Sequence, residues 1–204
     1  MIKAIFLDLH GVVSAEGHII LHYFAPIWSE LSVEQIIERY RKARIMKKGG
    51  FEVVTEGLAK EKIFAYTPKI KFYKGAEETL KALYKKHPLF IASDHVEKFF
   101  EKEFDTLRIK KYFKKNFVSY KMGISKKDKA FYETLLKETG YKANECVFVD
   151  DTQRNVELAK EVGFYGVWVE TGIENRHNKP DYNAEFMIKD LRELLPIIEK
   201  LEKR

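Results

Sequence analysis

The feature that most constrains this chain is an alternation: short apolar runs of strand length recur along it, separated by stretches with helical periodicity. The runs fall at residues 2–9, 89–92, 116–119, 146–149 and 166–169. They read as strands buried on both faces, as in parallel sheets, rather than as half-exposed strands with polar residues at every second place. Helical patterns lie between them at 75–86, 96–107, 126–139 and 153–162, and a last amphipathic helix is expected at 190–203. The expected architecture is α/β, a Rossmann-like parallel sheet core flanked by helices. Helix ends are marked locally. Ser125 with Asp128 has the spacing of a capping box opening a helix entered at Lys126, Thr152 is a candidate N-cap, and Gly140 and Gly163 sit at expected stops.

Residues 14–73 break this rhythm, because they hold helical segments and no convincing strand. Ser32 with Gln35 forms a capping-box pattern for a helix running to Lys48, with Gly49 and Gly50 ending it, and 55–66 is helical again. The expected division is therefore a core of residues 1–13 and 74–204 and a small α-helical cap of residues 14–73. Placed directly after the first strand, such a lobe folds over whatever chemistry sits at that strand's end.

Composition narrows the class. With 204 residues, 45% of them apolar, the chain buries a core without disulfides, and Cys146, its single cysteine, falls inside an apolar run as a small core residue of a reducing compartment. Asp8 interrupts the first apolar run too early for a signal-peptide core, and the apolar stretch 19–28, broken by His22 and Pro26, is too short for a membrane span. A cytoplasmic, soluble protein without a membrane partner is expected. The net charge of +6 is concentrated between Arg108 and Lys129. No interleaved aromatics accompany it, so a solvated lysine-rich surface is expected there and no nucleic-acid partner. Abundant Lys and Glu with few Gln point weakly to heat adaptation.

Ligands of open parallel sheets collect at the carboxyl ends of the strands, so the residues there belong together. They are Asp8, His10 and Gly11 after the first strand, Ser93 and Asp94 after the second, and Asp150 and Asp151 after the fourth, with Lys126 near the third. Three carboxylates, Asp8, Asp150 and Asp151, repel one another unless a divalent cation lies between them, and magnesium is the natural hard-oxygen guest. Ser93, the backbone amides after Asp8 and Ser93, and the Lys126 ammonium supply donors for a phosphoryl group. Carboxylates after strands also cap helices or form surface ion pairs, and single motifs of this kind are common. Four of them in order, each on its expected element, are not.

On these residues the chain resembles the haloacid dehalogenase-like superfamily. Its first motif is matched by Asp8, Leu9, His10, Gly11 and Val12, and its second by the run ending at Ser93. Its lysine motif is matched by Ser125, Lys126, Lys127 and Asp128, with Tyr132 beyond, and its acidic motif by Asp150, Asp151 and Asn155. The resemblance implies Asp8 as phosphoryl-accepting nucleophile, a phosphate held by Ser93, Lys126 and the Gly11 and Asp94 loops, and Mg2+ bound by Asp8, Asp151 and the His10 carbonyl. Asp150 would help through water, and Asn155 would support the acidic loop or simply hydrogen-bond it. Asp94 reads alternatively as a cap of the following helix. The implied activity is hydrolysis of a small phosphorylated substrate, a sugar phosphate or similar metabolite.

One position departs from the motif: where the family usually has a second Asp acting as general acid and base, this chain has His10. An imidazole can protonate a leaving oxygen and then activate water near neutral pH. His10 also reads as a side chain that only packs under the cap while its carbonyl serves the metal. Two other readings stay open, a metal-free carbon–halogen hydrolase and a non-catalytic binding or regulatory protein. The acidic pair favours the phosphatase over the dehalogenase. His18, His22, Arg39, Arg41 and Arg44 in the cap are candidates to meet substrate or to form an exposed face.

Overall fold

The computed structural model describes residues 1–15, 30–64, 70–171 and 184–203. His18 and His22, and the end of the helix expected at 55–66, lie outside the described residues. The core is a six-stranded sheet made of β1 (Ala4–Leu7), β4 (Leu89–Ser93), β5 (Phe113–Val118), β6 (Cys146–Asp150), β7 (Tyr165–Val169) and β8 (Phe186–Ile188). The spatial order is β5-β4-β1-β6-β7-β8 and every pairing is parallel, which is the α/β fold expected. From β1 the chain builds outward on one side through β4 and β5, then returns to build the other side from β6. The switch point, where a crevice opens at the strand ends, therefore falls at β1.

Burial on both faces explains the continuous apolar runs. Phe6, Phe90 and Phe148 point to one side, where rings interlock with Phe117, Phe164 and Tyr132; Phe6 stacks on Phe90 at 4.9 Å and meets Phe164 edge-on at 5.7 Å. Their neighbours Ile5, Leu7, Ile91, Val147 and Val149 point to the other side. Cys146 is buried and free, and burial, with Glu145 beside it, pushes its thiol up to about 12, which makes it a packing residue and a poor nucleophile.

Helices α4 (Ala76–Leu83), α5 (Glu97–Thr106), α7 (Lys129–Thr139), α8 (Gln153–Val162) and α9 (Leu194–Glu202) accompany this sheet, with a short α6 (Ser119–Met122). Gly140 and Gly163 end α7 and α8 as expected. Other details differ. Helix α7 begins at Lys129 because Asp128, not Ser125, is its N-cap and accepts from Ala130 N at 2.9 Å, so Lys126 precedes the helix instead of opening it. Ser119 starts α6 rather than ending β5. Thr152 occupies the N-cap position of α8 without a side-chain cap bond. β8 was not expected, since it is three residues long and its middle residue, Met187, is exposed.

Within residues 14–73 the described elements are α1 (Val33–Ala43), α2 (Gly50–Val54), α3 (Lys60–Ile63) and a two-stranded antiparallel ribbon, β2 (Ser14–Ala15) with β3 (Lys71–Phe72). The Ser32 and Gln35 capping box opens α1 as expected. That helix stops at Ala43, however, and Gly49 stands at the N-cap of α2 instead of closing α1. The ribbon overturns the expectation of no strand, and it pairs the two ends of the insert. The insert packs on α5 through rings: Phe99 meets Phe51 at 5.4 Å and Phe64 at 5.7 Å, and Tyr40 at 6.3 Å.

The basic stretch forms ordinary surface pairs. Lys115 and Lys129, both about half exposed, meet Glu138 and Glu161. Among the described residues, no helix is long and apolar enough to cross a membrane.

Candidate active site

The loop after β1 turns within a few residues. Val13 N and Ser14 N both donate to Leu9 O, and Gly11 N donates to Ser14 O at 3.0 Å. Gly11 has φ +82°, and a Cβ there would lie 2.4 Å from Asp151 Oδ2. A residue with a side chain would be strained and would displace Asp151, so the motif glycine is a condition for the first and last acidic loops to touch.

Asp8 follows β1 directly and continues its pairing, donating from N to Val149 O at 2.9 Å. Its Oδ1 accepts from Leu9 N at 2.7 Å, and its Oδ2 accepts from Lys126 Nζ at 2.5 Å. The same ammonium donates to Asp150 Oδ2 at 2.7 Å, and Asp150 Oδ1 accepts from Thr152 N at 2.9 Å and Asn155 Nδ2 at 3.0 Å. Asp8, Asp150 and Asp151 are all buried, and each offers one carboxylate oxygen within 4.8 Å of the others. Among these four side chains, three carboxylates face one ammonium, an excess of negative charge that a hard divalent cation would balance. Electrostatics agree. Burial raises Asp150 to about 7, with the Asp8 charge adding to the rise and Lys126 opposing it. Burial alone would lower Lys126, but Asp150, Asp8 and Asp94 overcome it and hold its pKa well above the usual lysine range.

Lys126 is placed by its backbone. Asp94 accepts from Lys126 N at 2.9 Å and from Ser125 Oγ at 2.6 Å. The Tyr132 hydroxyl lies 2.9 Å from Lys126 O and 3.0 Å from Asn155 O, sharing its proton between the lysine loop and the acidic loop. Trp168 Nε1 donates to Asp151 O at 2.9 Å from the next strand. Asp94 thus does not cap α5, whose N-cap, Val96, makes no side-chain bond. Its carboxylate also meets Arg44 Nη1 at 3.2 Å, which brings the insert's Arg44 to the crevice. Arg39 instead donates to Glu56 O within the insert. Lys127 is held below the usual lysine range by partial burial and by the nearby Arg44 and Arg41 charges. Ser93 ends β4 and is buried.

His10 goes where the sequence offered no partner. Its Nδ1 lies 3.2 Å from Oε1 of Glu103, a residue of α5 that is 1% exposed. Glu103 Oε1 also accepts from Ser14 Oγ, and Glu103 Oε2 lies 3.2 Å from His95 Nε2. His95 Nδ1 in turn lies 3.3 Å from the Tyr40 hydroxyl of α1. Burial alone would raise Glu103, yet the charges and hydrogen bonds of His10 and His95 hold it well below the ordinary carboxylate range. Sequence reasoning missed Glu103, His95 and Tyr40. One signal was present: Phe99, Phe100, Glu103 and Phe104 share the buried face of α5, so a carboxylate stands at a core position.

The sequence profile of the haloacid dehalogenase-like hydrolase family matches residues 17–169, and the chain belongs to that family. The match takes in Ser93, Lys126, Asp150 and Asp151 and begins beyond Asp8. A phosphoglycolate phosphatase of Pseudomonas savastanoi pv. phaseolicola is 29% identical over 136 residues, which are 65% of this chain and 50% of that protein. The chain thus spans about half the length of the curated relatives it matches. A HAD phosphatase from Thermococcus onnurineus superposes with a TM-score of 0.73 at 22% identity, covering 97% of this chain and 98% of the other. A HAD family enzyme from Bacteroides thetaiotaomicron, solved in complex with magnesium and inorganic phosphate, superposes with a TM-score of 0.66 at 19% identity over 87% and 98%.

Proposed function

We propose that the protein is a magnesium-dependent phosphatase of small phosphorylated metabolites, with Asp8 as nucleophile. The single observation that carries this reading is the Asp8, Asp150 and Asp151 cluster with the Lys126 ammonium set against two of its members. A dehalogenase working without metal has no use for that surplus of carboxylates. Magnesium fits the donor set and would be held by Asp8, Asp151 and the His10 carbonyl, with Asp150 through water; when bound it offsets the charge of the phosphate and its attackers.

The chain's own groups then do the following. Leu9 N and Lys126 fix the plane of the Asp8 carboxylate, one of whose oxygens attacks phosphorus as the bond to the leaving oxygen breaks. Ser93 and Lys126 hold the phosphoryl oxygens, while Asp94 contributes by placing the Lys126 backbone. His10, entering as the imidazolium, gives its Nε2 proton to the leaving oxygen. In the second step it takes one from the water that attacks phosphorus, which frees phosphate and restores Asp8. Arg44 at the crevice, with the Arg41 and Lys127 charges near it, favours metabolites with a second negative group, a reading that the similarity to phosphoglycolate phosphatases supports.

The direct test is hydrolysis of a chromogenic aryl phosphate with magnesium and with excess chelator. Turnover that needs magnesium and vanishes in Asp8→Asn supports the reading. Turnover that persists in chelator, or in a folded Asp8→Asn variant, removes it. A panel of phosphorylated metabolites with and without a carboxylate then tests the substrate class.

A further inference from the structure

We infer that Glu103 is the positioning residue of His10: its carboxylate accepts a hydrogen bond from Nδ1–H of the imidazole and so directs Nε2 to the leaving oxygen of the substrate. This rests on the proposed acid and base role of His10. It adds a residue from a helix far along the chain, and it restores, one imidazole further out, the carboxylate that the first motif lacks.

The argument begins with cost. A carboxylate on the apolar face of α5, among Phe99, Phe100 and Phe104, is unfavourable unless its oxygens are satisfied. Glu103 is satisfied by three side chains from two other segments: His10 and Ser14 on Oε1, His95 on Oε2. An ionised carboxylate only accepts, so the facing nitrogens, His10 Nδ1 and His95 Nε2, must carry the protons. In a neutral imidazole the lone pair then belongs to the other nitrogen. For His10 that is Nε2. His95 Nδ1 lies 3.3 Å from the Tyr40 hydroxyl and 3.2 Å from Val96 O, which only accepts, so His95 meets all its partners with both ring nitrogens protonated.

Exposure separates the two rings. The His95 side chain is 0% exposed and that of His10 is 14% exposed, so of the two rings on the shared carboxylate only His10 is open to solvent. Glu103 also braces the backbone on both sides. Ser14 closes the loop that begins at Asp8, and His95 follows directly on Ser93 and Asp94. A carboxylate serving only to join two loops would leave the ester dependence and the pH profile of turnover unchanged when its charge is removed. A positioning carboxylate would not.

The test combines kinetics with a measurement that needs no turnover. Long-range 1H–15N correlation spectra of the magnesium-loaded protein, with His10 assigned by its loss in His10→Asn, report which ring nitrogen is protonated when the ring is neutral. A proton on Nδ1 is expected, and a proton on Nε2 overturns the inference in the wild-type protein itself. In Glu103→Gln the turnover number for an alkyl phosphate should fall about ten- to a hundredfold with KM little changed, while that for an aryl phosphate falls at least severalfold less. Glu103→Asp should recover part of the alkyl loss. Adding Glu103→Gln to His10→Asn should cost little more than His10→Asn alone. Equal losses on both esters, or losses that multiply in the double variant, would make Glu103 a structural residue only. If His10→Asn itself fails to discriminate between the esters, the acid role of His10 falls and this inference with it, while the magnesium and Asp8 requirements stand as separate results.

Discussion

Two buried carboxylate clusters meet at the β1 end of the sheet, and they are built on opposite terms. The Asp8, Asp150 and Asp151 carboxylates sit at the ends of adjacent parallel strands, with Lys126 reaching them from a loop, and the cluster holds more negative than positive charge. The Glu103 cluster has one carboxylate surrounded by three donors, and it runs outward from the core to Tyr40 in the insert. The carboxylates of the first are set by strand register, and the insert touches that cluster only indirectly, through Arg44 on the Asp94 that holds the Lys126 backbone. The second joins insert to core, so its geometry depends on both. A crevice of this kind fixes Asp8 through the sheet while His10 shares its partner carboxylate with a group of the insert.

The largest effect that tests this contrast is Asp8→Asn, expected to abolish turnover in a folded protein, because the amide is nearly the same shape but a poor nucleophile and metal ligand. Steady-state rates on an aryl phosphate, with circular dichroism as the folding control, check it. His10→Asn comes next. Alkyl phosphate hydrolysis should slow by roughly two to four orders of magnitude while aryl phosphates suffer much less, since only the former needs a proton at the leaving oxygen. Equal slowing would mean that the two clusters do not divide the work.

A packing change separates the clusters further. Phe99→Ala removes the ring on which Tyr40, Phe51 and Phe64 converge and should cost about 3–5 kcal/mol in urea unfolding. Limited proteolysis should then cut within residues 33–64 before the core. Phe6→Ala, on the other face of the sheet, should cost a similar amount without that early cleavage. The smallest effect serves as a control, at a carboxylate belonging to neither cluster. The bond from Arg192 holds Asp190 down at about 2, below its unfolded value of 3.8. Its contribution to stability is therefore complete above about pH 4 and lost as pH falls through 2. Asp190→Asn should be slightly less stable than wild type at pH 7, and the two unfolding curves should converge near pH 2.

The legibility of the two clusters in the sequence differs for a physical reason. Asp8, Ser93, Asp150 and Asp151 each end a continuous apolar run, so the strand pattern that sets the fold also points to the site. Lys126 was legible as a site residue, but its mode of support was not: the pattern Ser125 to Asp128 suggests a cap, while Ser125 in fact turns to Asp94 and Asp128 does the capping. The pairs β2 with β3, two residues each, are too short to leave a period in the sequence. Glu103 contacts His10 across 93 positions, and no local pattern encodes a contact of that span. What a sequence can show is the anomaly alone, a carboxylate among phenylalanines on one helix face.

The central place of β1 also bears on how the crevice comes into being. This strand comes first in order yet lies in the middle, and its neighbours β4 and β6 begin only at Leu89 and Cys146. At ~5–20 residues per second of synthesis, on the order of ten seconds pass between the emergence of Asp8 and that of Asp150 from the ribosome. For that time the β6 edge of β1 is open, and until Leu89 emerges the β4 edge is open as well, so Asp8 lacks the Val149 carbonyl that its backbone N–H meets. Asp8 is thus made early and takes its final place late, when pairing of distant segments closes the sheet around it, and such non-local pairing is the slow part of folding.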